Sequence, residues 1–261
     1  MSTLYTRVMK IEVLADYITT RLHLDAFVDV DASLNGLQVG RPGKEIQKVI
    51  CAVDASLATF KKAAEMGSDA IFVHHGLFWG KPIAITALHY ERIATLLAHD
   101  MALFAAHLPL DAHPELGNNA TIARKLGITE PQPFGIYHGL PIGFRGTLKQ
   151  PQDAASIAKI LGFGPETGLH ILNFGKKKIS TIGIVSGGAP NTVQEAIELN
   201  LDAFLTGEPS HAMHSICQEA GITMICGGHY ATEVFGVQQM ANDLAANLGL
   251  ETTFIALPTA L

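Results

Sequence analysis

Asp69-Ala70-Ile71-Phe72-Val73-His74-His75-Gly76 is the stretch whose reading decides the fold. Its four consecutive apolar residues include β-branched Ile71 and Val73, and their length suits a strand buried on both faces. Such strands belong to parallel sheets, whose two sides are covered by crossover helices. The flanks agree with that assignment. A helical pattern from about Ala58 to Met66 precedes the run and another from about Thr86 to His99 follows it. Beyond these helices lie two further strand-like runs, Val49 to Val53 and Ala102 to Ala106. Strands alternating with helices predict parallel crossovers and a layered α/β fold, its sheets flanked by helices. Upstream, Met9, Val13, Leu14, Tyr17, Ile18 and Leu22 recur at helical spacing, and Asn35-Gly36 marks a turn.

The same pattern returns later in the chain. When Asp69-Ala70 is laid on Asp202-Ala203 without a gap, Thr59 falls on Thr192, Ala63 on Ala196, Glu65 on Glu198 and Ile71-Phe72 on Phe204-Leu205. Further on, Leu103-Phe104-Ala105-Ala106-His107 matches Met224-Ile225-Cys226-Gly227-Gly228-His229, which sets His107-x-x-x-Asp111 against His229-x-x-x-Glu233. An internal duplication follows: two similar α/β units, residues 1–130 and 131–261, divided in the Pro- and Gly-rich stretch from Gly127 to Gly146. The Gly162 to Gly168 loop and Lys176-Lys177-Lys178 read as surface connections inside the second unit.

With 261 residues at roughly 150 per domain, the chain holds one large or two small domains. Hydrophobic residues are 48% and charged residues 16%, and the mean hydropathy of +0.25 is too high for a disordered chain. A net charge of −6 argues against a surface built to coat phosphate backbones, so nucleic acid is the weaker expectation for a partner. No apolar run reaches the roughly 18 residues of a membrane helix, and the N-terminus lacks a signal-peptide core. A cytoplasmic location is expected. Three cysteines, Cys51, Cys217 and Cys226, form no C-x-x-C pair and read as buried reduced thiols.

Twelve histidines are the unusual feature. His74-His75 stands at the carboxyl end of a buried strand, where ligands collect in open α/β sheets. Neighbouring strand residues point to opposite faces, so both rings reach one site if the chain turns at the pair, as Gly76 permits. After the next strand, Pro109 takes the chain out of the sheet in an extended turn that leaves Asp111 to point inward or to cap a following turn. His113 is expected at the surface. In Gly227-Gly228-His229-Tyr230-Ala231-Thr232-Glu233 a strand stops and a helix begins, so His229 and Glu233 share a helical face at i and i+4.

Together His74, His75, Asp111, His229 and Glu233 make a nitrogen and oxygen donor set suited to Zn, Mn, Fe or Ni. Five ligands are many for one catalytic zinc, which takes three. They fit two divalent ions bridged by a carboxylate and a water, a site whose residual positive charge suits a small anionic substrate bearing phosphate or carboxylate. In that scheme a bridging hydroxide attacks an electrophilic centre, and His107 is the nearest proton carrier or, equally, a hydrogen-bond partner to a ligand. No P-loop, no G-x-S-x-G elbow and no H-E-x-x-H helix is present in the sequence. Val185-Ser186-Gly187-Gly188 reads as a glycine turn or an anion cradle. Glu208, His211 and His214 follow the second unit's strand end, with their roles left open.

These motifs, with Asn35-Gly36-Leu37-Gln38-Val39-Gly40, Phe72-Val73-His74-His75-Gly76, His107-Leu108-Pro109-Leu110-Asp111-Ala112-His113-Pro114, Gly117-Asn118-Asn119 and Gly228-His229-Tyr230-Ala231-Thr232-Glu233, resemble the Nif-three-like family. Its bacterial members are catalogued as GTP cyclohydrolase I type 2 homologues. The resemblance implies two interlinked α/β units, a dinuclear metal site on the same five residues, and a ring-shaped homohexamer with the sites facing inward. It also implies metal-assisted opening of the guanine imidazole ring, or, in a non-enzymatic alternative, a metal-binding ring that regulates or binds protein or nucleic acid. Many members read Trp-Asp-Asn where this chain has Ala32-Ser33-Leu34-Asn35, a difference expected to touch only a turn.

Overall fold

A computed structural model describes residues 7–261 and divides them into two compact units. One unit is the chain up to Leu110 together with Val237–Leu257, and the other is Asp111–Gly236 with Pro258–Leu261. The chain thus leaves the first unit after Leu110, returns to it within a helix at Val237 and leaves it again at Pro258.

In the first unit the elements are β1 (Met9–Lys10), α1 (Ile11–Leu22), β2 (Gly36–Val39), β3 (Glu45–Ile46), β4 (Lys48–Asp54), α2 (Leu57–Glu65), β5 (Ala70–His75), α3 (Ala87–Ala98) and β6 (Ala102–Ala105). A short helix, α4 (Leu108–Ala112), carries the chain to the second unit. There follow α5 (Asn118–Lys125), β7 (Gln132–Tyr137), β8 (Leu140–Gln152), α6 (Ala154–Leu161), β9 (His170–Asn173), β10 (Ile179–Ile184), α7 (Val193–Glu198), β11 (Ala203–Thr206), α8 (His211–Ala220), β12 (Thr223–Cys226) and α9 (His229–Leu248). The last strand, β13 (Glu251–Phe254), pairs in parallel with β4.

The first unit's main sheet has the order β13-β4-β5-β6-β2 and the second unit's β7-β8-β10-β11-β12-β9. Each is built on a parallel trio, β4-β5-β6 and β10-β11-β12, as the apolar runs predict. Ile71, Phe72, Phe204 and Leu205 are fully buried, each contributing about 1.5–3 kcal/mol by leaving water. The repeat is visible in the polar chemistry as well. Asp69, just before β5, accepts the backbone N–H groups of Gln47 and Lys48 (both 2.9 Å). Asp202, just before β11, accepts those of Ser180 and Thr181 (2.9 and 3.1 Å). In each unit the carboxylate closes the start of one strand onto the start of its neighbour.

Three local expectations change. Strand β5 runs through His74 and His75, and Gly76 is absent from the residues with positive φ. Its glycine is required by space, because a Cβ there would lie 2.3 Å from the Gln38 amide and 2.7 Å from the Ala105 methyl. Pro109 does not begin an extended turn but sits in the first turn of α4, where its missing N–H costs nothing. The Gly127 to Gly146 stretch is no link: most of it forms β7 and part of β8, paired antiparallel at the edge of the second sheet. This pairing hid in the sequence because its Pro and Gly residues, tolerated at a sheet edge, read as loop chemistry.

Candidate metal centre

In the first unit β5 and the end of β6 bring three imidazoles together. The ring centroids of His74 and His75 are 4.6 Å apart, and His107 lies 5.1 Å from His74 and 5.7 Å from His75. One nitrogen from each lies within 4.8 Å of the others, close enough for a shared ion. The pleat does not separate His74 from His75 because β6 has ended at Ala105, opposite Val73, and the rings meet past its end.

Each ring is oriented through Nδ1. His74, fully buried, donates to the Ala106 carbonyl at 2.9 Å, His75 to Asp54 Oδ1 at 2.8 Å, and His107 to Asp31 Oδ1 at 2.9 Å. A carbonyl or carboxylate only accepts, so Nδ1 carries the proton and the ring's lone pair sits on Nε2. That is how metal-ligating histidines are commonly held. Asp31 itself is fixed from several sides. Burial pushes its carboxyl up, but the His107 ring, the Asn35 amide and the Ser33 N–H together hold it below the usual value. Asn35 also accepts the His107 N–H through Oδ1 at 2.8 Å, so the segment expected to be a plain turn positions this histidine.

The second unit gathers Asp111, His229 and Glu233 around the Ser186-Gly187 turn. Ser186 Oγ and Asn118 Nδ2 donate to Asp111 Oδ1 at 2.8 and 2.9 Å. His229 donates from Nδ1 to Glu208 Oε1 at 2.5 Å, and its Nε2 lies 3.2 Å from Glu233 Oε1 one helical turn on. Gly187, at φ 68°, stands against this pair, and a Cβ there would approach Glu233 Oε1 to 2.2 Å. The turn is therefore a backing wall for carboxylates rather than an anion cradle.

Every sequence-predicted ligand thus falls in one of two clusters, His74 and His75 with His107 in the first unit and Asp111, His229 and Glu233 in the second. Glu208, undecided from sequence, orients His229, while His211 and His214 are exposed on α8, with His214 edge-on to Phe174. The surface expectation for His113 fails: it is 4% exposed, and its Nδ1 accepts the N–H groups of Glu115 and Leu116. The orienting roles of Asp54, Asp31 and Ser186 were missed, since each acts across a long sequence separation, and that of Asn118, seven residues from Asp111, was missed because the Gly117-Asn118-Asn119 motif was given no contact to a ligand. Only Asp54, at the end of a buried strand beside another strand end, carried a signal that position could have revealed.

The donors fit a borderline divalent metal: imidazole Nε2 and carboxylate oxygen, with the orienting partners already engaged and no thiolate. Cys51, Cys217 and Cys226 are buried and free, and burial pushes the thiols of Cys51 and Cys226 up to about 12, leaving them protonated and inert at neutral pH.

The family description DUF34/NIF3, NGG1p interacting factor 3, matches residues 9–260. The chain belongs to the DUF34/NIF3 family. Proteins from Deinococcus radiodurans and Treponema pallidum, both named GTP cyclohydrolase 1 type 2 homolog, are similar to it. The first is 46% identical over 88% of this chain and 88% of its own, the second 38% over 94% and 97%. The crystal structure of TTHA1606 from Thermus thermophilus superposes with a TM-score of 0.87 at 39% identity, covering 97% of this chain and all of that one. Among the described residues, no helix is long and apolar enough to cross a membrane.

Proposed function

We propose that this DUF34/NIF3 protein is a metal-dependent hydrolase in which His74, His75, Asp111, His229 and Glu233 hold two divalent ions, and whose substrate is a small anion such as a nucleotide or another phosphate-bearing molecule. The observation that carries the proposal is the orientation of the imidazoles: His74, His75 and His229 each commit Nδ1 to an oxygen acceptor, which turns Nε2 into the donor atom. Bound there, divalent ions supply Lewis acidity and water acidic enough to ionise near neutral pH. The remaining chemistry falls to the chain. Ser186 and Asn118 hold the Asp111 carboxylate in one rotamer, and Glu208 and Asp54 fix the His229 and His75 rings. His107 is the proton carrier, because Asp31 on its Nδ1 orients the ring and leaves Nε2 as the atom that takes up and returns a proton. Two carboxylates against two dications leave positive charge that selects an anion. The name of its relatives, GTP cyclohydrolase 1 type 2 homolog, supports the same substrate class. The proposal includes assembly as a ring of six copies and action in the cytoplasm, where three buried, unpaired thiols are at home.

The test is metal content and hydrolysis of GTP and a panel of phosphoesters, comparing wild type with Glu233→Ala, both purified without added metal. The expected outcome is about two metals per wild-type chain, with metal and turnover lost together in the variant. Substoichiometric metal in the wild type, or no turnover on any substrate by metal-loaded protein, would overturn it.

A further inference from the structure

Trp79 is the chain's single tryptophan, and 37% of it is exposed. Its indole stands next to the histidine cluster, with ring centroids 4.9 Å from His107 at 75° and 6.0 Å from His75. The ring does not swing freely. Nε1 donates to the Gly76 carbonyl at 2.9 Å, and the backbone of Trp79 forms an antiparallel bridge with Ser33. A large aromatic held rigidly and half open to water, beside groups of the proposed site, offers area for stacking at little cost in conformational freedom.

The neighbouring surface is concave. A cleft of about 490 Å³ adjoins the bridge, lined by Leu34, Phe78 and Pro82 and by the polar Asp25, Asp31 and Lys81. Ser33, 6% exposed, belongs to this wall, and its hydroxyl meets no hydrogen-bond partner among the described residues. A buried hydroxyl left in that state costs stability unless something else engages it. A cleft of mixed apolar and polar lining with an unmet hydroxyl, next to a fixed aromatic face, has the features of a small-molecule site.

We propose that Trp79 is the stacking platform for a planar heteroaromatic ring of the substrate, placing that ring beside His75 and His107. The inference rests on the hydrolase reading for its substrate, but the stacking itself needs no metal and is measured separately. Because Trp79 is the sole tryptophan, its emission reports this one position. Titration of metal-free wild-type protein with guanosine monophosphate should quench that emission saturably, whereas ribose 5-phosphate, which lacks the ring, should not. By calorimetry Trp79→Ala should bind guanosine monophosphate about 10–100-fold more weakly, and Trp79→Phe should restore most of the affinity, which separates lost stacking from lost folding. No quenching at millimolar nucleotide, equal quenching by ribose 5-phosphate, or unchanged affinity in Trp79→Ala would overturn the assignment. An emission maximum already blue-shifted and deaf to nucleotide would do so too, placing a second copy of the chain over the indole. Quenching without turnover would sink the hydrolase and spare the platform; turnover without any dependence on Trp79 would do the reverse.

Discussion

The two strand ends that face chemistry occupy equivalent places in the two units and are furnished in opposite ways. Val49 lies opposite Ala70 in one sheet and Ile182 opposite Ala203 in the other. Counting outward, Asp54 corresponds to Gly187 and His75 to Glu208. In the first unit, then, the strand end carries the imidazole and the neighbouring strand carries the carboxylate that orients it. In the second, the strand end carries the carboxylate, and the imidazole it orients, His229, opens α9 after the neighbouring strand β12. The acid–histidine pair survives while its members change elements, so what the scaffold conserves is the place where a pair can form rather than the residue at any one position.

The connection after the third strand of each trio differs as well. The N–H of Ala106 donates to the Val73 carbonyl and that of Gly227 to Thr206, which makes these two residues equivalent. His107 follows Ala106 directly, but Gly228 intervenes before His229. This extra residue has φ 99°, and a Cβ on it would approach the Thr167 carbonyl to 1.9 Å. Gly228→Ala should therefore cost more than about 3 kcal/mol, combining backbone strain with a clash against main chain. Ala106→Gly, the mirror change, loses only a buried methyl and some backbone restriction, about 1–2 kcal/mol. Urea denaturation of both variants checks the contrast, and equal losses would dissolve it.

Next in size is the swapped pair. If both carboxylates orient metal-binding imidazoles, Glu208→Ala and Asp54→Ala should each weaken metal binding by about 10–100-fold, measured by competition with a chelating dye. A loss in only one variant would assign the ions to one unit's histidines and break the symmetry argued above.

Much of this arrangement was legible in the sequence because buried parallel strands are short, continuous apolar runs, and because His74-His75 and His229-x-x-x-Glu233 stand where such runs stop. What could not be read depends on distance in the chain. Nothing near His107 announces Asp31, or near Asp111 announces Ser186, since those partners are chosen by sheet closure. His113, expected at the surface, is instead buried, its ring capping the turn at Glu115 and Leu116. Strand β13 escaped because its Thr and Glu residues alternate with too little apolar content to mark a core strand.

A third contrast lies at the opposite ends of the strands. Asp69 and Asp202 make the same two backbone contacts, but Asp202 also takes the Lys176 ammonium at 2.6 Å. Burial pushes the Asp202 carboxyl up, yet Lys176 and the amides of Ser180 and Thr181 outweigh it and hold the group below its ordinary value. A depressed folded value means that this stabilisation is fully present above the unfolded value of about 3.9 and fades as pH falls through the folded one. Asp202→Asn should thus lose about 1.5 kcal/mol at pH 7, with the gap from wild type closing at the acid end. A gap that stayed constant with pH would mean that the charge is not what matters.

The smallest effect decides which partner does the work. The Lys176 side chain is 74% exposed, so water and salt screen its charge, and Lys176→Met should cost less than about 1 kcal/mol. The two backbone amides, which also hold the Asp202 carboxyl down, remain in that variant. Stability of Lys176→Met should therefore still fall as pH drops below the ordinary aspartate value, but over a window lying closer to that value than in wild type. If the acid-side loss vanished altogether, the ammonium would be the whole source of the Asp202 depression. If the curve did not move, the amides alone would account for it, and Lys176 would be a solvated neighbour that the duplication never needed.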